Sequence, residues 1–330
     1  MILFNLKNKK LSPINPKLFG AEKEIQSIVE SNTEEIFDLR LVCSEFSVGQ
    51  FRFDSVCFDE ESKSFVIIEY KKDHSFSIID QGFSYLSTTL QNKAEFILEY
   101  NEITGKTLKK STVDWSQSRI IFISPSFTAH QKNSINFKDM PFELWEVNRF
   151  ANNLITFSQF LSSSKESLKG ISKNSLISKV SKEIKTYDTS DLLSKSSSKV
   201  KKLWERLNQR INKSDFQNTK LVNKQKYIRF CYDNNTTICY FNLRKGAFKI
   251  QIIGGTIYGD GKKGRYYVEL NDYKGLTKKN KKIWEGYGEK RGTKKDPVNV
   301  MYDIWISDEK NISYLIELLQ QRYEAIVNNL

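Results

Sequence analysis

The sequence predicts an α/β protein in parts. A three-layer α/β core with a mixed sheet occupies residues 1–160, a Ser/Lys-rich linker residues 161–199, and a smaller, basic α+β domain residues 200–330. Three observations carry this. Through the first half, short apolar runs of strand length alternate with segments of helical period. Residues 161–200 are then crowded with Ser and Lys and poor in aromatic residues. Charge divides at the same place: residues 1–160 hold 18 Lys and Arg against 21 Asp and Glu, a net of −3, and residues 161–330 hold 34 against 18, a net of +16. A chain of 330 residues is long enough to bury two cores.

The elements follow in order. Phe19 to Ser31 reads as a helix with Ile25, Ile28 and Val29 inward. Two strand-like runs come next, Arg52 to Phe58 and Phe65 to Lys71. Ile78 to Tyr100 reads as a helix, with Ile79, Phe83, Leu86, Leu90, Ala94, Ile97 and Leu98 as its apolar positions. Arg119 to Ser124 is a continuous apolar run suited to a buried strand, and Pro125 stops it. Pro141 to Val147 is a further strand. Beyond the linker, Val200 to Ile211 is an amphipathic helix. Strand-like runs occur at Tyr227–Tyr232, Thr237–Leu243, Phe248–Ile253, Arg265–Leu270 and Val298–Ile306, and a helix over Ile312–Val327 closes the set.

The chemistry gathers at the run Phe-Val-Ile-Ile-Glu-Tyr-Lys71. Alternate residues of a strand share a face, so Glu69 and Lys71 point the same way. If Arg52–Phe58 pairs with this run as a hairpin, Asp54 reaches the same spot. Two carboxylates and an ammonium suit a hard divalent cation with an activated water, the chemistry of phosphodiester cleavage. Glu-x-Lys also occurs at Glu61–Lys63 and Glu183–Lys185, but only here does it cap an apolar run with an acid on the run before it. The competing reading is an ordinary edge strand with solvated charges. Gln81 and Tyr85, spaced i,i+4, share a face near the start of the next helix. On the first helix Glu24 is a candidate third carboxylate, with Glu22 as its competitor. His74, just beyond Lys71, has the chemistry of a general base, against the simpler reading of an incidental loop histidine.

In this order of parts, with Glu24, Asp54, Glu69-Tyr70-Lys71 and Gln81-Gly82-Phe83-Ser84-Tyr85, the chain resembles the PD-(D/E)XK nuclease superfamily over about residues 18–150, and within it the branch with a Gln-x-x-x-Tyr helix. The resemblance implies a restriction-endonuclease-like core and a Mg²⁺- or Mn²⁺-dependent endonuclease. In that picture Asp54 and Glu69 are metal ligands, the Tyr70 carbonyl a further ligand and Glu24 an accessory one. Lys71 positions the attacking water, and Gln81 and Tyr85 support the site. One departure is that Phe53, not Pro, precedes Asp54. The resemblance favours DNA over RNA and is compatible with restriction, defence or repair and with a homodimer. The superfamily also contains inactive members. The alternative is therefore a catalytically inactive nucleic-acid-binding or modification-sensing protein on a degenerate nuclease fold. The C-terminal half is weakly similar to a small domain of no settled role found at the C-terminus of predicted nucleases.

The basic residues point to a polyanion. Their densest stretch runs from Lys274 to Lys295, where Lys278, Lys279, Lys281, Lys282, Lys290 and Arg291 mingle with Trp284 and Tyr287. Cations can neutralise phosphates while aromatic rings stack on bases. The plainer reading is a solvated lysine-rich surface. Gly254 to Arg265 lacks the G-x-x-x-x-G-K-[ST] order of a phosphate loop and reads as a glycine-rich hairpin loop, with Lys262, Lys263 and Arg265 placed to touch phosphate. Four cysteines in no paired spacing and two histidines argue against a structural zinc site and for free thiols in a reducing compartment. No run reaches the length of a membrane span and the N-terminus lacks signal-peptide order, so a cytoplasmic protein is expected.

Overall fold

The computed structural model describes residues 2–72, 77–162, 164, 166–168, 175–185, 187–194, 196–224, 227–233, 236–243, 248–258, 261–283 and 298–329. The chain divides into two compact units, Met1–Thr186 and Tyr187–Leu330.

The first unit opens with a two-stranded ribbon, β1 (Leu3–Lys7) and β2 (Lys10–Ile14), followed by the short β3 (Pro16–Lys17), α1 (Glu22–Glu30) and α2 (Thr33–Phe37). Then come β4 (Arg40–Val48), β5 (Phe51–Asp59), β6 (Ser64–Tyr70), α3 (Ile78–Gln91), α4 (Lys93–Thr104), β7 (Arg119–Ser124), α5 (Ala129–Ser134), β8 (Phe142–Phe150), β9 (Leu154–Phe160) and α6 (Ser175–Glu183). The main sheet runs β3-β8-β7-β6-β5-β4, with β9 also on β8. β4, β5 and β6 are antiparallel to one another, β6, β7 and β8 are parallel, and β9 turns back antiparallel, so the sheet is mixed. One face packs Phe53, Phe65 and Ile67 against Phe83 and Leu86 of α3, Phe96 of α4 and Val180 of α6. The other packs Val66, Ile68 and Ile121 against Ile25 and Val29 of α1 and Phe37 of α2. With helices on both sides, every residue of β6 is buried, which explains its unbroken apolar run. This is the three-layer α/β core the sequence predicts.

Some elements differ from the sequence reading. The helix over 78–100 is two helices broken at Asn92, whose side chain donates to the Thr88 carbonyl at 2.8 Å and ends the first. The boundary between units falls inside the 161–199 stretch and does not span it. Val180 on α6 and the adjacent Ile184 are buried in the first core.

The second unit holds α7 (Thr189–Leu193), α8 (Ser198–Lys213), β10 (Thr219–Asn223), β11 (Ile228–Tyr232), β12 (Thr236–Leu243), β13 (Phe248–Ile257), β14 (Lys278–Ile283), β15 (Val298–Ile306) and α9 (Ile312–Val327). Its sheet, β10-β11-β12-β13-β15-β14, is antiparallel throughout. Leu203, Trp204 and Leu207 of α8 and Leu315, Leu318 and Leu319 of α9 share one core with its strands. Arg265–Leu270 is not a strand. It runs beside β13 where Gly255, at φ +100°, interrupts the register, and a Cβ there would meet the Tyr267 Cα at 2.8 Å. All four cysteines are free.

Candidate active site

The site forms where the β5–β6 hairpin comes apart. Antiparallel pairing extends from Asp59 and Ser64 to Ser55 and Ile68 and stops. One step further would set Asp54 opposite Glu69. There the Asp54 carboxylate, not a backbone carbonyl, accepts the Tyr70 N–H, at 3.0 Å. The Asp54 carbonyl in turn accepts the side-chain amide of Gln26 on α1, at 3.0 Å. Both backbone groups are thereby satisfied without closing the ladder, and the two acids are left side by side at the strand ends. On β4, Ser44 and Phe46 pair with Ser55 and Phe53, which leaves Glu45 opposite Asp54. Glu45 has a left-handed φ of +54° and forms ion pairs with Lys23 at 3.0 Å and Arg52 at 2.9 Å.

Glu69 is 2% exposed. Its Oε1 accepts from Lys71 Nζ at 2.7 Å and from Gln81 Nε2 at 2.7 Å. Gln81 gives its other proton to the Tyr85 hydroxyl at 3.2 Å, and Tyr85 donates to the Arg52 carbonyl at 3.1 Å. α3 can hold these two side chains over the end of β6 because residue 82 is glycine. A Cβ there would come within 2.5 Å of the Phe142 ring. Ser77 caps the helix by accepting the Asp80 N–H, which puts Gln81 in its first turn.

The second carboxylate oxygen, Glu69 Oε2, is buried without a hydrogen-bond partner among the described residues. Burial, then the nearby Asp54 charge, pushes the Glu69 carboxyl up to about 7, against the pull of Lys71 and Gln81. Asp54 is raised as well. Burial is its main cause, the Tyr70 N–H and Lys71 oppose it, and Glu45 and Glu22 add to it. Burial also pushes the Tyr85 hydroxyl up to about 12, so it stays a donor. A buried acid and a half-buried one, both resisting ionisation, the first with an oxygen lacking a donor among the described residues, fit a divalent cation. Mg²⁺ is commonly held by one or two carboxylates and completes its shell with water and phosphate. Among the described residues no three His, Cys, Asp or Glu side chains form a closed metal cage, and the water-completed mode needs none.

α1 buttresses this arrangement along one line, Glu22, Gln26 and Glu30. Glu22 accepts the Lys72 N–H at 2.8 Å, Gln26 holds Asp54, and Glu30 accepts the Ser55 hydroxyl at 2.7 Å. Ser55 also meets the Tyr70 hydroxyl at 3.0 Å. Glu24 faces elsewhere: its carboxylate accepts the Gly20 N–H and pairs with Arg149, and these two, the Gly20 hydrogen bond first, hold it below the usual carboxylate range. Of the two candidate acids on this helix, Glu22 and Glu24, the one that faces the site is Glu22. Gln26 and Glu30 are the residues the sequence reading missed. Their signal is a polar line at i, i+4, i+8 beside the buried Ile25 and Val29. Gln26→Ala should leave the fold intact and weaken Mn²⁺ binding by about tenfold or more, as loss of a group that orients a ligand does. Calorimetric titration of the two proteins checks this, with Glu24→Gln expected to bind as wild type does.

The basic candidates belong to the second unit. Lys278 and Lys279 lie on the edge strand β14, and Lys279 pairs with Glu269. Lys262 and Lys263 are exposed at a tight turn in which the Tyr258 N–H donates to the Lys262 carbonyl at 2.9 Å. Arg265 instead donates to the Asn329 carbonyl at 2.6 Å. Trp284, Tyr287, Lys290, Arg291 and His74 lie outside the described residues, as do the side chains of Lys281 and Lys282. Among the described residues no helix is long and apolar enough to cross a membrane.

No family model matches the chain. An uncharacterised protein of Haemophilus influenzae is 36% identical over 325 residues, covering 97% of this chain and 99% of that one. Two solved structures match in part. One is an EndoMS-dsDNA2 complex, with TM-score 0.21 and 16% identity over 40% of this chain and 44% of the other. The second is a repair endonuclease from Pyrococcus abyssi, with TM-score 0.23 and 17% identity over 39% and 48%. The chain thus spans less than half the length of either, and likenesses this partial leave its chemistry to be read from its own residues.

Proposed function

The chain belongs to the same family as the Haemophilus influenzae protein, and we propose that it is a metal-dependent endonuclease of the PD-(D/E)XK type, with a Gln-x-x-x-Tyr helix, that hydrolyses phosphodiester bonds in DNA. The observation that carries this reading is Glu69: a buried carboxylate with one oxygen fixed by Lys71 and Gln81 and the other without a donor among the described residues, beside the half-buried Asp54. Ordinary solvated edge charges would not be buried or have their proton affinity raised.

Asp54 and Glu69 would hold Mg²⁺ or Mn²⁺, with the Tyr70 carbonyl as a further ligand. The bound cation would polarise the scissile phosphate and lower the pKa of a bound water. The chain's own residues do the rest. Gln81 and Lys71 hold one oxygen of the Glu69 carboxylate, which would leave the second for the cation. Lys71 keeps a positive charge where negative charge develops on the phosphate, and its ammonium protons orient the attacking water. Gln26, through the Asp54 carbonyl, sets the second ligand. Lys262, Lys263, Lys278, Lys279, Lys281, Lys282, Lys290 and Arg291, with Trp284 and Tyr287, would supply phosphate and base contacts in the second unit. DNA is preferred to RNA on the sequence resemblance.

The test is incubation of the full chain with supercoiled, linear and single-stranded DNA and with RNA, in Mg²⁺, in Mn²⁺ and in EDTA. Cleavage of DNA that EDTA stops is the expected result. Binding without cleavage of any substrate would transfer the reading to an inactive nucleic-acid-binding protein on this fold.

A further inference from the structure

We propose that the β1–β2 ribbon is a nucleic-acid-binding arm that grips duplex DNA beside the cleavage site, an inference that rests on the nuclease reading of that site. The ribbon is a two-stranded sheet of its own, and residues 4–13 are all solvent-exposed. Isolated hairpins are marginal in water, so such a ribbon needs something to lie against. Its register pairs Phe4 with Pro13 and Leu6 with Leu11, which puts these four on one face with Ile2. That face is open: Ile2 is 78%, Leu6 67% and Leu11 63% exposed. Lys7 and Lys10 pair on the other face. The turn between them has Asn8 at φ 50° and Lys9 at φ 63°, the two positive values a type I′ turn demands. Glycine is favoured where Lys9 stands, so a lysine charge is kept at the tip despite the conformational cost.

Charge identifies the occupant. Residues 1–21 hold four lysines and no Asp or Glu, whereas residues 22–186, the rest of that unit, hold 20 Lys and Arg against 23 Asp and Glu, a net of −3. The body that carries the cleavage site therefore repels a polyanion, and the arm supplies local attraction. Arm packed on arm would instead gather six lysines with no carboxylate to offset them. The form suits a duplex as well. A two-stranded ribbon fits the major groove, and Phe, Leu, Ile and Pro are the side chains that wedge against bases from the minor groove.

The arm also springs from the right end of the sheet. β8 has β9 along one edge, and along the other β7 for its first half and then β3, which pairs Pro16 with Phe150. β3 thus lies beyond the C-terminal end of β7, at the end where β6 delivers Glu69 and Lys71. Tyr70, Ile123 and Trp145 form one row, and Phe150 is five residues further along β8, about 16 Å. Lys72 ties the two places together: its Nζ donates to the Gly20 carbonyl at 2.8 Å, and its N–H donates to Glu22.

The experiment uses the full chain with a fluorescent DNA duplex several turns long, read by anisotropy in EDTA over a salt series, with light scattering on the same samples. Two variants are compared with wild type. Because no core residue changes, both should melt with wild type. Replacing Lys7, Lys9 and Lys10 by Gln should weaken binding about tenfold or more and flatten the slope of log affinity against log salt by about two to three units. Replacing Phe4, Leu6 and Leu11 by Ser should weaken binding with the slope kept. Wild-type affinity and slope in both variants, with wild type binding the duplex, would overturn the arm and leave the nuclease reading standing. Conversion of a dimer to a monomer by the apolar variant, with duplex binding unchanged, would overturn it in favour of a second copy. Failure of wild type to bind duplex or single strand would overturn both readings.

Discussion

Lys71→Ala is expected to lower metal-dependent DNA cleavage by about a thousandfold while the protein melts as a folded two-unit chain. Lys71 follows the last residue of β6, so its backbone is held by the sheet: its N–H donates to the Ile123 carbonyl at 2.8 Å whatever side chain it carries. The side chain is what the site uses. Its Nζ is 2.7 Å from Glu69 Oε1 and is the positive charge that opposes the rise in both acids' proton affinity. Alanine removes that charge and leaves Glu69 beside Asp54 with the Gln81 amide at 2.7 Å and the longer Tyr85 hydroxyl contact at 3.5 Å as its donors among the described residues. Cation binding should therefore weaken along with the chemistry, and Mn²⁺ titration of the variant separates the two losses. Asp54→Ala should match it in activity and exceed it in lost metal affinity, because it also frees the Tyr70 N–H. Undiminished cleavage by either variant would sink the assignment of this site.

The site was legible where its residues belong to one short segment and hidden where they come from a distant one. Glu69, Lys71, Gln81 and Tyr85 stand out because an apolar strand and a helix start impose periods that expose the polar exceptions. Gln26 and Glu30 had a period too, but nothing in one helix says that its polar line meets Asp54 and Ser55. Only the sheet brings them together. Glu24 and Glu22 are the converse case: two acids on one helical turn, separated by Arg149, more than 100 residues away, which takes Glu24. Among the strands, β4 was missed because Glu45, at a positive φ, breaks its alternation. β14 was missed because Lys-Lys-Asn-Lys-Lys-Ile reads as solvated charge, though lysines on an edge strand are what deters unwanted pairing. Arg265–Leu270 has strand composition but meets β13 at a glycine that bends the ladder away. The α/β class survives such misses because it depends on buried runs such as β6 and β7, whose composition is set by helices on both faces.

Glu69 should also make the metal-free protein less stable as pH rises. Its folded pKa, about 7, lies above its ordinary value of 4.5. Below 4.5 both folded and unfolded chains hold the proton and Glu69 contributes nothing. Between 4.5 and 7 the folded chain binds more proton than the unfolded one, so stability falls with rising pH, and above 7 the loss is complete. Its full size is about 3 kcal/mol at most, and Asp54, raised in the same direction, adds to it. Carboxyls held low elsewhere, such as Glu60, oppose the trend in the whole protein. The quantity to measure is thus the difference in urea unfolding free energy between wild type and Glu69→Gln from pH 4.5 to 8. That difference should drift steadily toward the variant as pH rises, because glutamine has no proton to lose. Mn²⁺ should reverse the drift in wild type alone, and more strongly at pH 8 than at pH 6, since proton and cation compete for the same oxygens. A difference that is flat with pH, or that Mn²⁺ leaves unchanged, would mean that Glu69 ionises freely in the fold. The buried oxygen without a donor would then have no part in holding a cation.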